Sequence, residues 1–280
     1  MASITVIGSV NLDIVAKAPK LPARGETVTG ADLHRFPGGK GANQALAAQR
    51  LGADVSLVAC VGDDASADEA LALLREGGVD LSAVRILKSV PTGTALIAVA
   101  PDGDNQIVVA PGAQAHLAAD EATVPDSDAV NCQLQVPADP IAGVANVYAG
   151  FFCENLAPAK QIDVSILQRA DLVVVNETEA AWYGATLSAC HGLIATTRGA
   201  GTASLERDGA IVAEVTPPAV DAIDATGAGD TFTAALTVAL VEGREPGEAL
   251  QFACAAGAAA TTQMGAQPAL PFREDIAHAE

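Results

Sequence analysis

Positive charge is in short supply in this sequence: 15 Lys and Arg stand against 34 Asp and Glu in 280 residues, a formal charge of −19. Such a surface repels nucleic acid and anionic membranes, so neither is an expected partner. It also repels anionic small molecules, so a site for one must supply local positive potential from a metal ion, Lys, Arg or a helix N-terminus. No run of about 18 apolar residues occurs, which argues against a membrane-spanning helix. Met1-Ala2-Ser3-Ile4-Thr5-Val6-Ile7 lacks a basic segment and runs straight into a strand pattern, so no secretory signal is expected. The five cysteines (Cys60, Cys132, Cys153, Cys190, Cys254) are odd in number and show no CxxC spacing. That argues against a disulfide framework or a zinc site and for free thiols in a reducing cytoplasm. Aromatics make up only 3% of the chain but hydrophobic residues 50%, enough for one large core with a small appendage. Low-complexity linkers and internal repeats are also lacking, so residues 1–280 are expected to form a single domain.

What the chain does have is a regular alternation of apolar runs and helical patterns. Residues 4–8, 55–60 and 172–175 read as buried strands. Residues 42–51, 231–241 and 248–262 read as helices. Ser66-Ala67-Asp68-Glu69 has the form of a capping box opening a helix through residue 76. Residues 202–206 and 211–215 flank the turn signal Arg207-Asp208-Gly209, a hairpin. The alternation predicts a three-layer, doubly wound α/β fold with a mostly parallel sheet. Two segments break the rhythm, about 11–36 and about 94–110. Both are strand-like with turn residues, and they are expected to build a small β-sheet lid.

The chemistry concentrates in a few motifs. Asp224-Ala225-Thr226-Gly227-Ala228-Gly229-Asp230 runs directly into a helix. Small residues let the backbone approach a ligand, and N–H groups at a helix N-terminus favour anions. Gly227, Ala228 and Gly229 are thus a candidate anion hole, and Asp230 in the first turn is a candidate general base. Pro37-Gly38-Gly39-Lys40-Gly41-Ala42-Asn43 again places glycines before a helix, with Lys40 and Asn43 as donors, but lacks the GxxxxGK[ST] spacing of a Walker A loop. Gly8-Ser9-Val10-Asn11-Leu12-Asp13 ends the first strand, where open α/β sheets bind ligands, and alternation puts Asn11 and Asp13 on one face. Asn176-Glu177-Thr178-Glu179 follows another strand and offers oxygen ligands that suit Mg²⁺. No GxGxxG follows the first strand, which argues against a dinucleotide-binding dehydrogenase.

Taken together and in this order, GSVNLD (8–13), GGKGAN (38–43), NETE (176–179), DATGAGD (224–230) and GAQPALP (265–271) resemble the ribokinase-like (PfkB) carbohydrate kinases. The resemblance runs from about Ile4 to Ile276. It implies ATP-dependent phosphorylation of a sugar, with the primary 5-hydroxyl of D-ribose as acceptor. By resemblance, Asn11, Asp13, Gly39, Lys40, Asn43 and Gln135 bind the sugar and Asp230 deprotonates its hydroxyl. Asn176, Thr197, Gly199, Gly227 and Gly229 would hold ATP. Glu179 would hold Mg²⁺ through water. Asp224, Thr226, Ala260 and Gly265 would form a site for an activating K⁺. The lid would also be the contact of a homodimer.

The chain departs from the family pattern at several points. Gln135 stands where the family usually carries Glu, Ala225 where it carries Thr, and Cys254 where Asn or His is common. Residues 180–195 look too short for a full connecting helix, and the loop at Thr197-Arg198-Gly199-Ala200-Gly201 also looks short. Two other readings stay open from the sequence. One is a kinase for another sugar or for a nucleoside, such as deoxyribose or fructose. The other is a sugar-binding relative without catalysis. The scarcity of aromatics, Phe36 being the one nearby, disfavours a nucleoside.

Overall fold

Continuous apolar runs make strands that are buried on both faces, and the helical patterns between them provide the covers. The computed structural model describes residues 1–120 and 122–276; residues 277–280, the end of the expected domain, and Glu121 lie outside the described residues. In chain order the elements are β1 (Ser3–Ile7), β2 (Asn11–Lys17), β3 (Asp32–Gly38), α1 (Lys40–Arg50), β4 (Asp54–Gly62), α2 (Ala65–Glu76), β5 (Val84–Leu87), β6 (Gly93–Val99), β7 (Asn105–Ala110), β8 (Ala129–Gln133), α3 (Ala138–Val147), β9 (Phe151–Asn155), α4 (Val164–Arg169), β10 (Leu172–Asn176), α5 (Glu177–Tyr183), β11 (Leu193–Arg198), β12 (Gly201–Arg207), β13 (Ala210–Val215), α6 (Ala228–Val241), α7 (Pro246–Ala259) and α8 (Arg273–Ile276).

The main sheet runs β13-β12-β11-β10-β9-β8-β1-β4-β5. Pairing is parallel from β11 to β5, and β12 and β13 add an antiparallel hairpin at one edge. Strand β10 shows how the layers form. Val173 and Val175 join the apolar cluster under α3, α4 and α5, while Leu172 and Val174 join the cluster under α6 and α7. A third cluster packs α1 and α2 on β1 and β4. The expected three-layer, doubly wound fold is therefore present.

Chain order reverses at β1. Strands β4 and β5 lie to one side of it and β8 to β11 to the other. Such a switch point opens a crevice at the carboxyl ends of the strands. A second, four-stranded sheet of order β3-β2-β6-β7 starts four residues beyond the end of β1, at Asn11. Its strands coincide with the two expected lid segments, with the ends extended to Gly38 and Gly93.

Two local expectations change. Helix α2 is capped by Asp64, whose Oδ1 accepts from the Ala67 amide at 2.9 Å, so Ser66 lies inside the helix rather than at its cap. Asp64 holds the position because it also accepts from the amide and hydroxyl of Thr92, tying the helix start to the entry of β6. The short stretch 180–195 does lack a full helix: α5 passes into a 3₁₀ turn, Gly184–Ala189. The parallel crossover is complete all the same, with β10 and β11 paired from Leu172 opposite Leu193 to Asn176 opposite Thr197. The β11–β12 face away from α7 carries polar side chains instead. Arg198 donates to the Thr202 carbonyl and the Ser204 hydroxyl, and Ser204 donates to Glu206.

One core position breaks the apolar pattern. Glu154 of β9 lies opposite Cys132 and Val173, fully buried, and neither carboxyl oxygen has a hydrogen-bond partner. Burial pushes its pKa well above the ordinary value, offset in part by Lys160. The native state then holds a proton that the unfolded chain releases above about 4.5, so stability falls as pH rises from there toward the native value. Glu154→Leu is expected to stabilise the protein at pH 8 by about 1–3 kcal/mol, the usual cost of an unsatisfied buried group. Thermal melts should show that margin shrinking toward pH 5; a margin independent of pH would contradict the assignment.

Candidate active site

Two helices begin at the crevice, and glycine makes both starts possible. Gly39 precedes α1 with φ 94°, and a Cβ there would lie 2.7 Å from the Asn11 amide nitrogen and the Ser9 carbonyl oxygen. Gly227 precedes α6 with φ 84°. Both positions lie in the left-handed region that side chains resist. The two helix starts are then joined side chain to side chain. Asn43 Nδ2 donates to Asp230 Oδ2 at 2.8 Å, and Lys40 Nζ lies 3.5 Å from Asp230 Oδ1. Asp230 is only 4% exposed, yet its Oδ1 has no hydrogen-bond partner. Asn11 Oδ1 and Asn43 Oδ1 are likewise buried without a partner. Orphaned buried acceptors are costly in a native fold, so a group of them on adjoining segments points to a ligand rich in O–H donors.

Asp13 shares the face of β2 with Asn11 and adds a buried carboxylate. Burial above all, then the charges of Asp230 and Asp224, raises its pKa to about 6. Gln135, just beyond β8, closes the switch point. Its Oε1 accepts from the Ser9 hydroxyl at 2.5 Å and from the Lys40 amide at 3.1 Å. The six sugar-site candidates of the sequence, Asn11, Asp13, Gly39, Lys40, Asn43 and Gln135, are thus brought together around Asp230.

On the other side of Asp230 lies the loop before α6. The Ala228 amide donates to the Ala225 carbonyl at 3.2 Å, whereas no protein acceptor faces the amides of Gly227 and Gly229. Asn176 and Glu179 form a reciprocal cap on α5, each side chain accepting from the other's amide at 2.8 Å. Burial raises the Glu179 pKa; Lys40 opposes this and Asp230 adds to it. Among the described residues no cluster of three or more metal-ligating side chains exists. Thr197 lies opposite Asn176 at the sheet's carboxyl end, and Gly199 follows a bulge with φ 56°.

The third group gathers around Asp224. Its carboxylate accepts from the Thr226 amide and hydroxyl at 2.9 and 2.6 Å and from the Gly265 amide at 2.9 Å. Burial works against ionisation here, but these bonds, with Lys17 nearby, hold the pKa below the ordinary value. Ala260 caps the C-terminal end of α7, and the next carbonyl, Thr261, accepts from the Asp224 amide. A cleft of about 960 Å³ under the second sheet runs between Asp13, Val15 and Lys17 on one wall and Asp224, Thr226 and Gly265 on the other.

This geometry has parallels. Residues 1–273 match the family model described as pfkB family carbohydrate kinase. The chain belongs to the pfkB family of carbohydrate kinases. It is 34% identical to the ribokinase of Haemophilus influenzae over 296 residues, covering 98% of this chain and 96% of the relative. Among solved structures, the ribokinase of Thermotoga maritima superposes with a TM-score of 0.89 at 30% identity, covering 99% of both chains. The Arabidopsis thaliana ribokinase, solved with ribose and ATP, gives 0.88 at 29% identity over 99% of this chain and 98% of that one.

Within this carbohydrate kinase, the parts played by three residues escaped the sequence. Ser9 relays a hydrogen bond, accepting from Gly41 and donating to Gln135. Lys17 reaches from β2 to Met264 Sδ at 3.0 Å, and the Phe36 ring lies where a Cβ on Gly265 would sit. Both fasten the second sheet to the 262–266 loop. Ser9 stood inside a motif and could have been found there; Lys17 and Phe36 are ordinary strand residues until the loop is packed beneath them.

The raised Asp13 pKa gives a pH dependence. An ionised Asp13 accepts hydroxyl protons and a protonated one does so poorly, so kcat/KM for the sugar is expected to fall about tenfold per pH unit below 6. In Asp13→Asn that acid limb should be missing from the pH–rate profile. An acid limb unchanged in the variant would assign it elsewhere.

Proposed function

We propose that this protein transfers the γ-phosphoryl group of ATP to the primary 5-hydroxyl of D-ribose. The observation that carries the reading is the ring of buried oxygens without partners, Asn11 Oδ1, Asn43 Oδ1 and Asp230 Oδ1, facing a carboxylate, Asp13, beside a helix N-terminus. A polyol supplies the missing donors, and the helix amides accommodate the anion that it attacks. The ribokinase names of the relatives, one of them solved with ribose and ATP, point to the same pair of substrates.

In this mechanism Asn43 fixes the Asp230 carboxylate, leaving Oδ1 to accept the proton of the attacking hydroxyl. Lys40 lies on the same oxygen and limits repulsion between Asp230 and the incoming phosphate. The amides of Gly227 and Gly229 face the charge that develops on the transferred group. Asn176, Thr197 and Gly199 line the nucleotide side. Phosphoryl transfer asks mainly for positioning and charge neutralisation. Mg²⁺, when bound, neutralises phosphate oxygens, and Glu179 is the residue placed to hold it through water. Asp224 and Thr226, with backbone at Ala260 and Gly265, offer the hard oxygen set that suits an activating K⁺. The second sheet acts as the lid over the sugar and as the contact of a homodimer; Ile107, Val108 and Val109 of β7 are exposed on it. The five buried free cysteines fit work in a reducing compartment such as the cytoplasm.

Coupled measurement of ADP release with a panel of pentoses, hexoses and nucleosides tests the substrate. Ribose should give the highest kcat/KM, and a nucleoside or hexose at the top of the panel would displace this reading. Asp230→Asn should cut turnover by about 10²–10⁴ while ribose affinity is retained. Unchanged turnover would remove Asp230 from the mechanism.

A further inference from the structure

We propose that Gln135 meets the acceptor sugar as a hydrogen-bond donor, so that at one position the site recognises the sugar oxygen as an acceptor and not as a hydroxyl donor. The orientation of the amide follows from its neighbours. The Lys40 backbone N–H can only donate, so the Gln135 atom 3.1 Å from it is the oxygen. Ser9 Oγ faces the Gly41 amide, another group that can only donate, which leaves the Ser9 hydrogen for the same Gln135 oxygen at 2.5 Å. Oε1 has two lone pairs, and both are occupied. What remains is the Nε2 amide group, which has no protein partner and is not enclosed, on a half-buried residue at the carboxyl end of β8. The enclosed side-chain atoms without a partner around it are oxygens: Asn11 Oδ1, Asn43 Oδ1 and Asp230 Oδ1. Gln135 sets a neutral donor beside these acceptors.

A Glu at this position, as the family usually carries, would present a second carboxylate oxygen where Nε2 now stands. It would require a hydroxyl hydrogen from the sugar. Gln135 requires only a lone pair. A substituent that accepts but cannot donate is therefore tolerated by this chain at that position and rejected by the Glu form. This deepens the proposed sugar kinase function and rests on it.

The test is a deoxy and deoxyfluoro scan of the sugar that the wild-type protein phosphorylates best, ribose on the present reading. Each hydroxyl other than the phosphorylated one is replaced in turn by hydrogen or by fluorine, which accepts weakly and never donates. Values of kcat/KM are compared for the wild type, Gln135→Glu and Gln135→Leu, with circular dichroism to verify folding. In the wild type, one position should favour fluorine over hydrogen by about tenfold, in line with the loss incurred when a polar group of the site is left unpaired. That preference should vanish in Gln135→Leu and vanish or invert in Gln135→Glu. Absence of any such position in the wild type overturns the proposal without recourse to a variant, as does a preference that survives in both variants. Failure of ribose turnover would overturn the substrate assignment separately, since the scan then follows the preferred sugar.

Discussion

The hydrogen bond between Asn43 and Asp230 joins segments 187 residues apart and fixes the geometry on which the rest of the site depends. It draws the N-terminal ends of α1 and α6 to one point. The start of α6 contributes the unpaired amides of Gly227 and Gly229, and each end contributes the positive pole of its helix. In a chain with a formal charge of −19, that convergence, with Lys40 between the two ends, gives an anionic nucleotide a place of positive potential. Either helix start alone would be an ordinary capped turn.

The same convergence has a cost. Asp13, Asp224 and Asp230 act on one another through the raised pKa of Asp13, and Glu179 feels Asp230 as well. Buried oxygens without partners add to the burden. Structure of this kind persists where function needs it and the surrounding core can carry it. The core here is extensive, with three apolar clusters spanning the main sheet. Glu154 belongs to the same category of buried unpaired carboxyl but lies between Cys132 and Val173 of a core cluster and has no part in the proposed chemistry.

The nucleotide side is built economically. A seven-residue helix and a 3₁₀ turn replace a full connecting helix between β10 and β11. The parallel pairing survives because the register of Leu172 to Asn176 against Leu193 to Thr197 is set by apolar side chains on both faces, not by the length of the connection. Arg198, Ser204 and Glu206 bond to one another along one face of the hairpin. The carboxyl ends of these strands, where Asn176 and Thr197 stand side by side, are unaffected.

Much of this was legible in the chain itself. Buried strands such as β10, the glycine-rich helix starts and the lid segments follow from local patterning, because periodicity and backbone freedom are properties of neighbouring residues. Local patterning misled at Ser66, since the preference for Asp64 depends on Thr92, 28 residues away. The residues of the site could be named from their motifs, but not their pairings. That Asn43 holds one oxygen of Asp230 and leaves the other open, that Ser9 and Lys40 saturate the oxygen of Gln135, and that Lys17 and Phe36 fasten the lid became determinate only when distant segments packed. The sequence alone determined the elements and the chemical inventory; tertiary structure decided which donor meets which acceptor, because a hydrogen bond depends on distances within a few tenths of an ångström that no local pattern encodes.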